Sequence, residues 1–277
     1  MKSKFLTIVF GIAVFFFIIT FSIALPIYLR FFYYLHINAL SLPEKTGFSY
    51  AQIKCAYDEV LNYLTLPNMP FGTGVFAYTK SGFEHFADCK VLFDVNIITL
   101  IISTLTIITI LVLAKLKKVC LYRPFNMSVA VISAISIFLI IFVVAIIVAV
   151  DFSSAFTTFH HIFFPNKTNW VFDPKEMEII RVLPEQFFLN CAILIGSSIF
   201  IICLFIIIFG LIKRKKITKK ESWTYSTFFF ILTKLWFNFR KLILMLWKNS
   251  FWCWFNLIIA VLRHFAKHFH LVVCRQV

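Results

Sequence analysis

Two short stretches hold side chains able to move protons. In "SGFEHFADC" (residues 81–89) His85 is flanked by Glu84 and Asp88, and in "FTTFHHIFF" (residues 156–164) His160 and His161 are adjacent. An imidazole titrates near neutral pH, so two of them converging on one substrate suit a reaction in which one group loses a proton and another gains one. Asp88 follows His85 by three residues, which puts both on one face of a helix. His160 and His161 cannot share a face, so one should point toward lipid and one away. The same residues fit plainer roles: Glu84 capping a helix, His85 as an interfacial histidine, and the histidine pair as part of an aromatic belt. Neither a GxSxG elbow nor an HExxH motif is present. His85, Asp88 and His160 or His161 are of metal-ligating type, but their spacing closes no metal site, and a metal-dependent membrane hydrolase is an alternative that chelation would test.

The elements that must position these residues are membrane helices. Of the 277 residues 61% are hydrophobic and 14% charged, against roughly half and about a quarter in soluble domains. Four apolar runs reach the ~20 residues a spanning helix requires: Phe5 to Leu29, Val95 to Ala114, Met127 to Val150 and Phe187 to Ile212. None contains a charged residue. The first is too long for the apolar region of a secretory signal and reads as an uncleaved anchor. The expected fold is therefore an all-α integral membrane protein with four transmembrane helices.

Charge sets its orientation. Lys115, Lys117, Lys118 and Arg123 link the second and third runs without an acid, and "KRKKITKK" follows the fourth. Short basic loops stay cytoplasmic, so both termini are expected inside. Eleven of the twelve Asp and Glu residues fall in, or at the membrane edge of, residues 30–94 and 151–186, which makes those the two extracellular loops. The net charge of +15 is then a topology signal and an attraction to anionic inner-leaflet lipid; nothing in it points to nucleic acid. Only Cys55 and Cys89 of the seven cysteines face outward, which permits one disulfide.

Each loop carries helix-start chemistry. "SYAQ" (Ser49 to Gln52) is a capping box ahead of Ile53, Tyr57, Val60, Leu61 and Leu64 at helical spacing, which predicts an amphipathic helix on the membrane surface. "SGFE" (Ser81 to Glu84) is a second box whose helix runs into the second span, with His85 in its first turn, where the helix dipole favours neutral imidazole. Phe152, Phe156, Phe159 and Phe163 predict an interfacial helix after the third span. "DPKE" (Asp173 to Glu176) is a third box, predicting a short helix before "LPEQFF".

"GFEHFADCKVLF", followed by "FTTFHHIFFPNKTNWVFDP" and "IIRVLPEQFF", resembles the four-span lipoprotein intramolecular transacylase family of Gram-positive bacteria over roughly residues 1–216. The resemblance implies an acyltransferase of the cell membrane. Its substrates would be diacylglyceryl-modified lipoproteins in the lipid bilayer, and it would move the sn-2 acyl chain onto the α-amino group of the lipoprotein's N-terminal cysteine. The product is a lyso-lipoprotein. The two histidines of the family map onto His85 and His160; His161 falls at the next position. Cys89 stands where the resemblance leads one to expect valine, which argues against a required thiol nucleophile. An α-amino group with a pKa near 8 must lose a proton before it attacks an ester, and the glycerol oxygen must gain one as it leaves, so no metal or cofactor is implied. Candidates to stabilise the oxyanion are backbone N–H groups near Gly82, and Asn169, Trp170 and Arg181. Arg181 also fits an interfacial anchor.

Domain organisation follows from composition: residues 1–217 form a four-helix catalytic domain, and residues 218–277 a basic, aromatic-rich cytoplasmic tail. That tail holds five of the six tryptophans, and Lys234, Lys241 and Lys248 recur every seven residues, as in an amphipathic helix on the inner leaflet. His264 and His268 are spaced like metal ligands but lack a third. A non-catalytic membrane binding or transport protein is the remaining alternative, and the spans' lack of charged residues speaks against a transport pathway.

Overall fold

The computed structural model describes residues 2–217; the expected tail, residues 218–277, lies outside them. Among the described residues four helices are long and apolar enough to cross a membrane: α1 (Lys4–Tyr28), α5 (Lys80–Lys115), α6 (Val129–Val150) and α8 (Glu185–Ile217). They carry the four expected apolar runs, and the chain is a multi-pass all-α membrane protein. Among the described residues the one extended feature is a two-residue parallel pairing of β1 (Lys2–Ser3) with β2 (Cys120–Leu121).

The first helix is the hub, packing on α5, α6 and α8. Phe10, Val14 and Ile18 of α1 meet Ile110 of α5, Val131, Ala134 and Ile137 of α6, and Ile199, Cys203 and Ile207 of α8. Lipid is as apolar as these side chains, so close approach and interhelical hydrogen bonds have to supply specificity. Gly11 provides the approach: a Cβ there would run into Val129. The Ser133 hydroxyl then donates to Gly11 O at 2.9 Å, and Asn96 Nδ2 donates from α5 to Thr20 O at 3.2 Å.

α5 is 36 residues long, about 54 Å at the rise of an α-helix, whereas the hydrocarbon layer is only ~30 Å thick. The polar first part therefore projects beyond the apolar run that starts at Val95, lifting His85 about 15 Å above it. The helix starts one residue before the expected box. Thr79 is its cap, with Oγ1 accepting from Gly82 N, and Glu84 is exposed. His85 thus lies in the second turn, where the dipole acts less.

Between α1 and α5 the chain forms α2 (Arg30–Ala39), α3 (Leu42–Thr46) and α4 (Tyr50–Thr65). The Ser49–Gln52 capping box closes as expected, with Ser49 N donating to Gln52 Oε1 at 2.9 Å and Gln52 N to Ser49 Oγ at 3.3 Å. Ile53, Tyr57, Val60, Leu61 and Leu64 are all buried. Their burial is against protein, so the helix is amphipathic as expected and turns its apolar face to the rest of the fold. Tyr57 stacks on fully buried Tyr33 at 3.7 Å between centroids, and Tyr33 donates to Val182 O at 2.7 Å. Asp58 on the polar face gathers Arg30 (3.1 Å), Lys54 (2.8 Å) and Tyr34 (2.5 Å), tying α4 to α2.

After α6, α7 (Phe152–Phe163) is capped by Asp151, whose Oδ1 accepts from Ser154 N at 3.0 Å. The helix expected at Asp173–Glu176 is a turn instead. Asp173 Oδ1 accepts from Lys175 N, two residues on, and Asp173 O from Met177 N. These are the bonds of a helix start, but only one turn follows before the chain passes into a single 3₁₀ turn, Glu178–Arg181. Glu178 then clamps the opposite loop, its N donating to Ala77 O and its carboxylate accepting from Ala77 N at 2.9 Å.

Candidate active site

α5 and α7 leave the apolar bundle at the same end, and their histidines meet there. His85 and His160 are 6% and 7% exposed, with ring centroids 5.8 Å apart and planes 30° from parallel. Aromatic rings supply the burial. Phe164 and Phe172 present edges to His85 at 4.8 and 5.4 Å; Phe156 does so to His160 at 4.5 Å, and Trp170 stacks on His160 at 4.7 Å. His161 is exposed, its ring perpendicular to Trp170 at 5.3 Å.

Hydrogen bonding distinguishes the two rings. His160 Nδ1 lies 2.7 Å from Phe156 O. A carbonyl only accepts, so Nδ1 carries the hydrogen and Nε2 keeps its lone pair. Burial pushes the His160 imidazole below its ordinary value; the bond to Phe156 opposes this, and neighbouring His161 adds to it. Neutral imidazole, the form able to take a proton, is thereby favoured. His85 has Nε2 at 3.4 Å from Cys89 Sγ, one helical turn on, while its Nδ1 is buried without a partner among the described residues. Cys89 and Cys55 are both free thiols, so the disulfide the sequence permitted does not form.

Asp88 shares the face of His85 without bonding to it. Its carboxylate accepts from Lys167 Nζ at 2.6 Å and from Asn169 Nδ2 at 3.1 Å, and Trp170 Nε1 donates to Lys167 O at 2.9 Å. These bonds fasten the segment after α7 onto α5 and hold Trp170 over His160. Beside them opens a cleft of about 500 Å³, lined by Ser81, Glu84, Ala87, Asp88, Lys167, Thr168 and Asn169. Among the described residues no cluster of three or more His, Cys, Asp or Glu is arranged to hold a metal ion. Two oxyanion candidates are engaged elsewhere: Gly82 N caps its helix on Thr79, and Arg181 donates to Thr46 O, pairs with Glu178 and lies over Phe48.

The profile of the family described as "Lipoprotein intramolecular transacylase Lit" matches residues 8–188, most of the chain. The chain belongs to this family. As a lipoprotein intramolecular transacylase it is an acyltransferase acting on diacylglyceryl-modified lipoproteins at the membrane. The solved structure of the membrane integral lipoprotein intramolecular transacylase Lit from Bacillus cereus shares its fold, with a TM-score of 0.67, 23% identity, and coverage of 76% of this chain and 97% of that one. A histidine-to-arginine variant of the same bacterial protein superposes with a TM-score of 0.61 at 24% identity, covering 77% of this chain and 93% of the other. Comparison with curated protein sequences gave no significant match.

Sequence reading of this transacylase picked out His85, His160, Asp88, Asn169 and Trp170, which the structure brings together. It missed Phe164 and Phe172, since in a chain with 37 phenylalanines no spacing marks those two. Lys167, which no sequence signal singled out, proves to be a partner of Asp88 beside Asn169. Cys89 was visible at helical spacing from His85, but its meaning depends on the side-chain geometry.

Proposed function

We propose that the chain transfers the sn-2 acyl chain of a diacylglyceryl lipoprotein to the α-amino group of the lipoprotein's N-terminal cysteine by acid–base catalysis at His85 and His160. The observation that carries this reading is the pairing of two imidazoles, drawn from separate helices, inside a closed aromatic wall at the end of a membrane bundle. Amine and ester belong to one substrate molecule, so their effective concentration is high once the aromatic wall confines them. One imidazole serves the amine, which must lose a proton, and the other serves the oxygens on which charge develops. No nucleophile or cofactor is required. Trp170, Asn169 and Asp88 hold the geometry; Glu84 and His161 border the site.

We place this site on the extracellular face with both termini cytoplasmic. Lys115, Lys117, Lys118 and Arg123 support this, since they follow the end of α5 remote from His85 and precede the end of α6 remote from His160. Residues 1–217 are the catalytic domain on this reading, and the basic tail is an inner-leaflet segment.

Mass spectrometry of the N-terminal peptide of a lipoprotein from a diacylglyceryl-accumulating host provides the test. Expression of the chain should yield an N-acyl, S-monoacyl peptide, and His85→Ala or His160→Ala should each abolish it while the variant remains folded in the membrane. An unchanged diacyl peptide with well-expressed wild-type protein would refute the reading.

A further inference from the structure

The two histidines have unlike surroundings, and this asymmetry fixes more than their proximity does. On His160 the Phe156 carbonyl holds the hydrogen on Nδ1. Nε2 is then the basic atom. On His85 the corresponding constraint comes from Cys89, whose Sγ is 3.4 Å from Nε2. A thiol is a weak donor and its sulfur a weak acceptor, whereas an imidazole lone pair is a good acceptor. The favoured arrangement therefore has Cys89 S–H donating to Nε2, and the ring hydrogen must then sit on Nδ1. That atom belongs to a side chain only 6% exposed and has no partner among the described residues. An unpartnered N–H at such a position costs stability unless a ligand completes it.

We propose that Cys89 is a positioning residue that holds His85 in its Nδ1-protonated form, so that His85 serves as a neutral hydrogen-bond donor to the oxyanion while His160 Nε2 carries the proton. The inference rests on the transacylase reading above and divides the labour within it. The substrate amine, already neutral, bonds through its nitrogen to the sn-2 carbonyl carbon, and His160 Nε2 takes the one proton that nitrogen then loses. Negative charge moves to the carbonyl oxygen, where His85 Nδ1–H donates to it. The bond from that carbon to the glycerol oxygen then breaks as the carbonyl re-forms, and His160 returns the proton to the departing oxygen. The products are an amide and a free hydroxyl, and both imidazoles and the thiol end as they began. A neutral imidazole in this role never has to become imidazolate. It also supplies the oxyanion donor that neither Gly82 nor Arg181, both engaged elsewhere, provides.

The test uses the full chain in lipid nanodiscs with ¹⁵N-labelled histidine. The His85 resonances, identified by their loss in His85→Ala, should report hydrogen on Nδ1. Cys89→Ala should move that signature toward hydrogen on Nε2 and lower kcat by roughly 3- to 10-fold, as expected for one modest hydrogen bond, with KM nearly unchanged. Cys89→Ser, which retains a hydroxyl donor, should restore both. A purely packing role for Cys89 would leave the tautomer alone. Wild-type His85 protonated on Nε2, or a Cys89→Ala variant with unaltered tautomer and rate, would overturn the proposal. Failure of the transacylase reading looks different: no N-acyl product from wild-type protein, whatever the tautomer.

Discussion

The indole of Trp170 lies over the imidazole of His160, 4.7 Å between centroids and 28° from parallel, and its Nε1 is anchored on Lys167 O. The stack covers one face of the ring that is to accept a proton and keeps its Nε2 aimed. Aromatic stacking of this kind is worth about 0.5–1.5 kcal/mol. Trp170→Ala should therefore slow acyl transfer by roughly 3- to 10-fold, and Trp170→Phe by less. The rate of N-acyl product formation in membranes checks this, with thermal stability of the purified protein as the control for folding.

Asp88 is shared by two donors, Lys167 and Asn169. Lys167 is about half exposed, and an exposed ion pair contributes only about 0–1 kcal/mol. Lys167→Ala should then have a small effect on activity. Asp88→Ala releases both donors and the loop bearing Trp170, so it should cost clearly more. Equal losses in the two variants would show that the ion pair alone positions the loop.

Acid should inactivate through His160. Burial holds its pKa below the ordinary 6.5, so near neutral pH the base is already unprotonated and activity should be flat. Below that depressed value the lone pair is taken up and activity falls. Stability has the same sign. Above pH 6.5 the ring is neutral folded and unfolded, whereas below it the unfolded chain binds the proton more readily, so stability declines as pH falls through the folded pKa. Melting temperatures measured on the acid side of pH 6.5 should decline less steeply for His160→Gln than for wild type.

The Asp58 cluster belongs to the scaffold. Asp58→Asn weakens the anchorage of Arg30, Tyr34 and Lys54 that ties α2 to α4, and should destabilise the protein by about 1–3 kcal/mol. The specific rate of the folded fraction should change little. Burial alone would raise the Asp58 pKa, but bonds from Lys54, Tyr34 and Arg30 hold it below 3.8. Its contribution to stability is thus present above that value and lost as pH falls through the folded pKa.

Much of this protein was legible in its sequence, for a simple reason. A bilayer demands about 20 apolar residues per crossing and admits no unpaired backbone, so the four spans could be read from composition alone. Local chemistry was legible too: Ser49 and Gln52 close their box because both partners lie within one turn. Where only local signals were used, neighbours sometimes outweighed them. Thr79 displaced Ser81 as the cap of α5, and Asp173 closed a turn in place of a helix. The apolar face of α4 announced burial, but only the fold decided that its Tyr57 meets Tyr33 and Phe187.

The sequence by itself determined that His85 and His160 sit at span ends on one side of the bundle, because helix length and apolar pattern are properties of each segment alone. Their separation of 5.8 Å, the Phe164, Phe172 and Trp170 rings that bury them, and the Asp88–Lys167 tie were decided by the tertiary structure. Except for the stack of Trp170 on His160, those contacts join residues some 80 positions apart in the chain, and no periodicity within either segment encodes the distance between two segments. The unlike hydrogen-bond partners of the two rings follow from both levels. Phe156 and Cys89 stand four residues from their histidines, a spacing the sequence displays, but only the packed helices show which ring nitrogen each one meets.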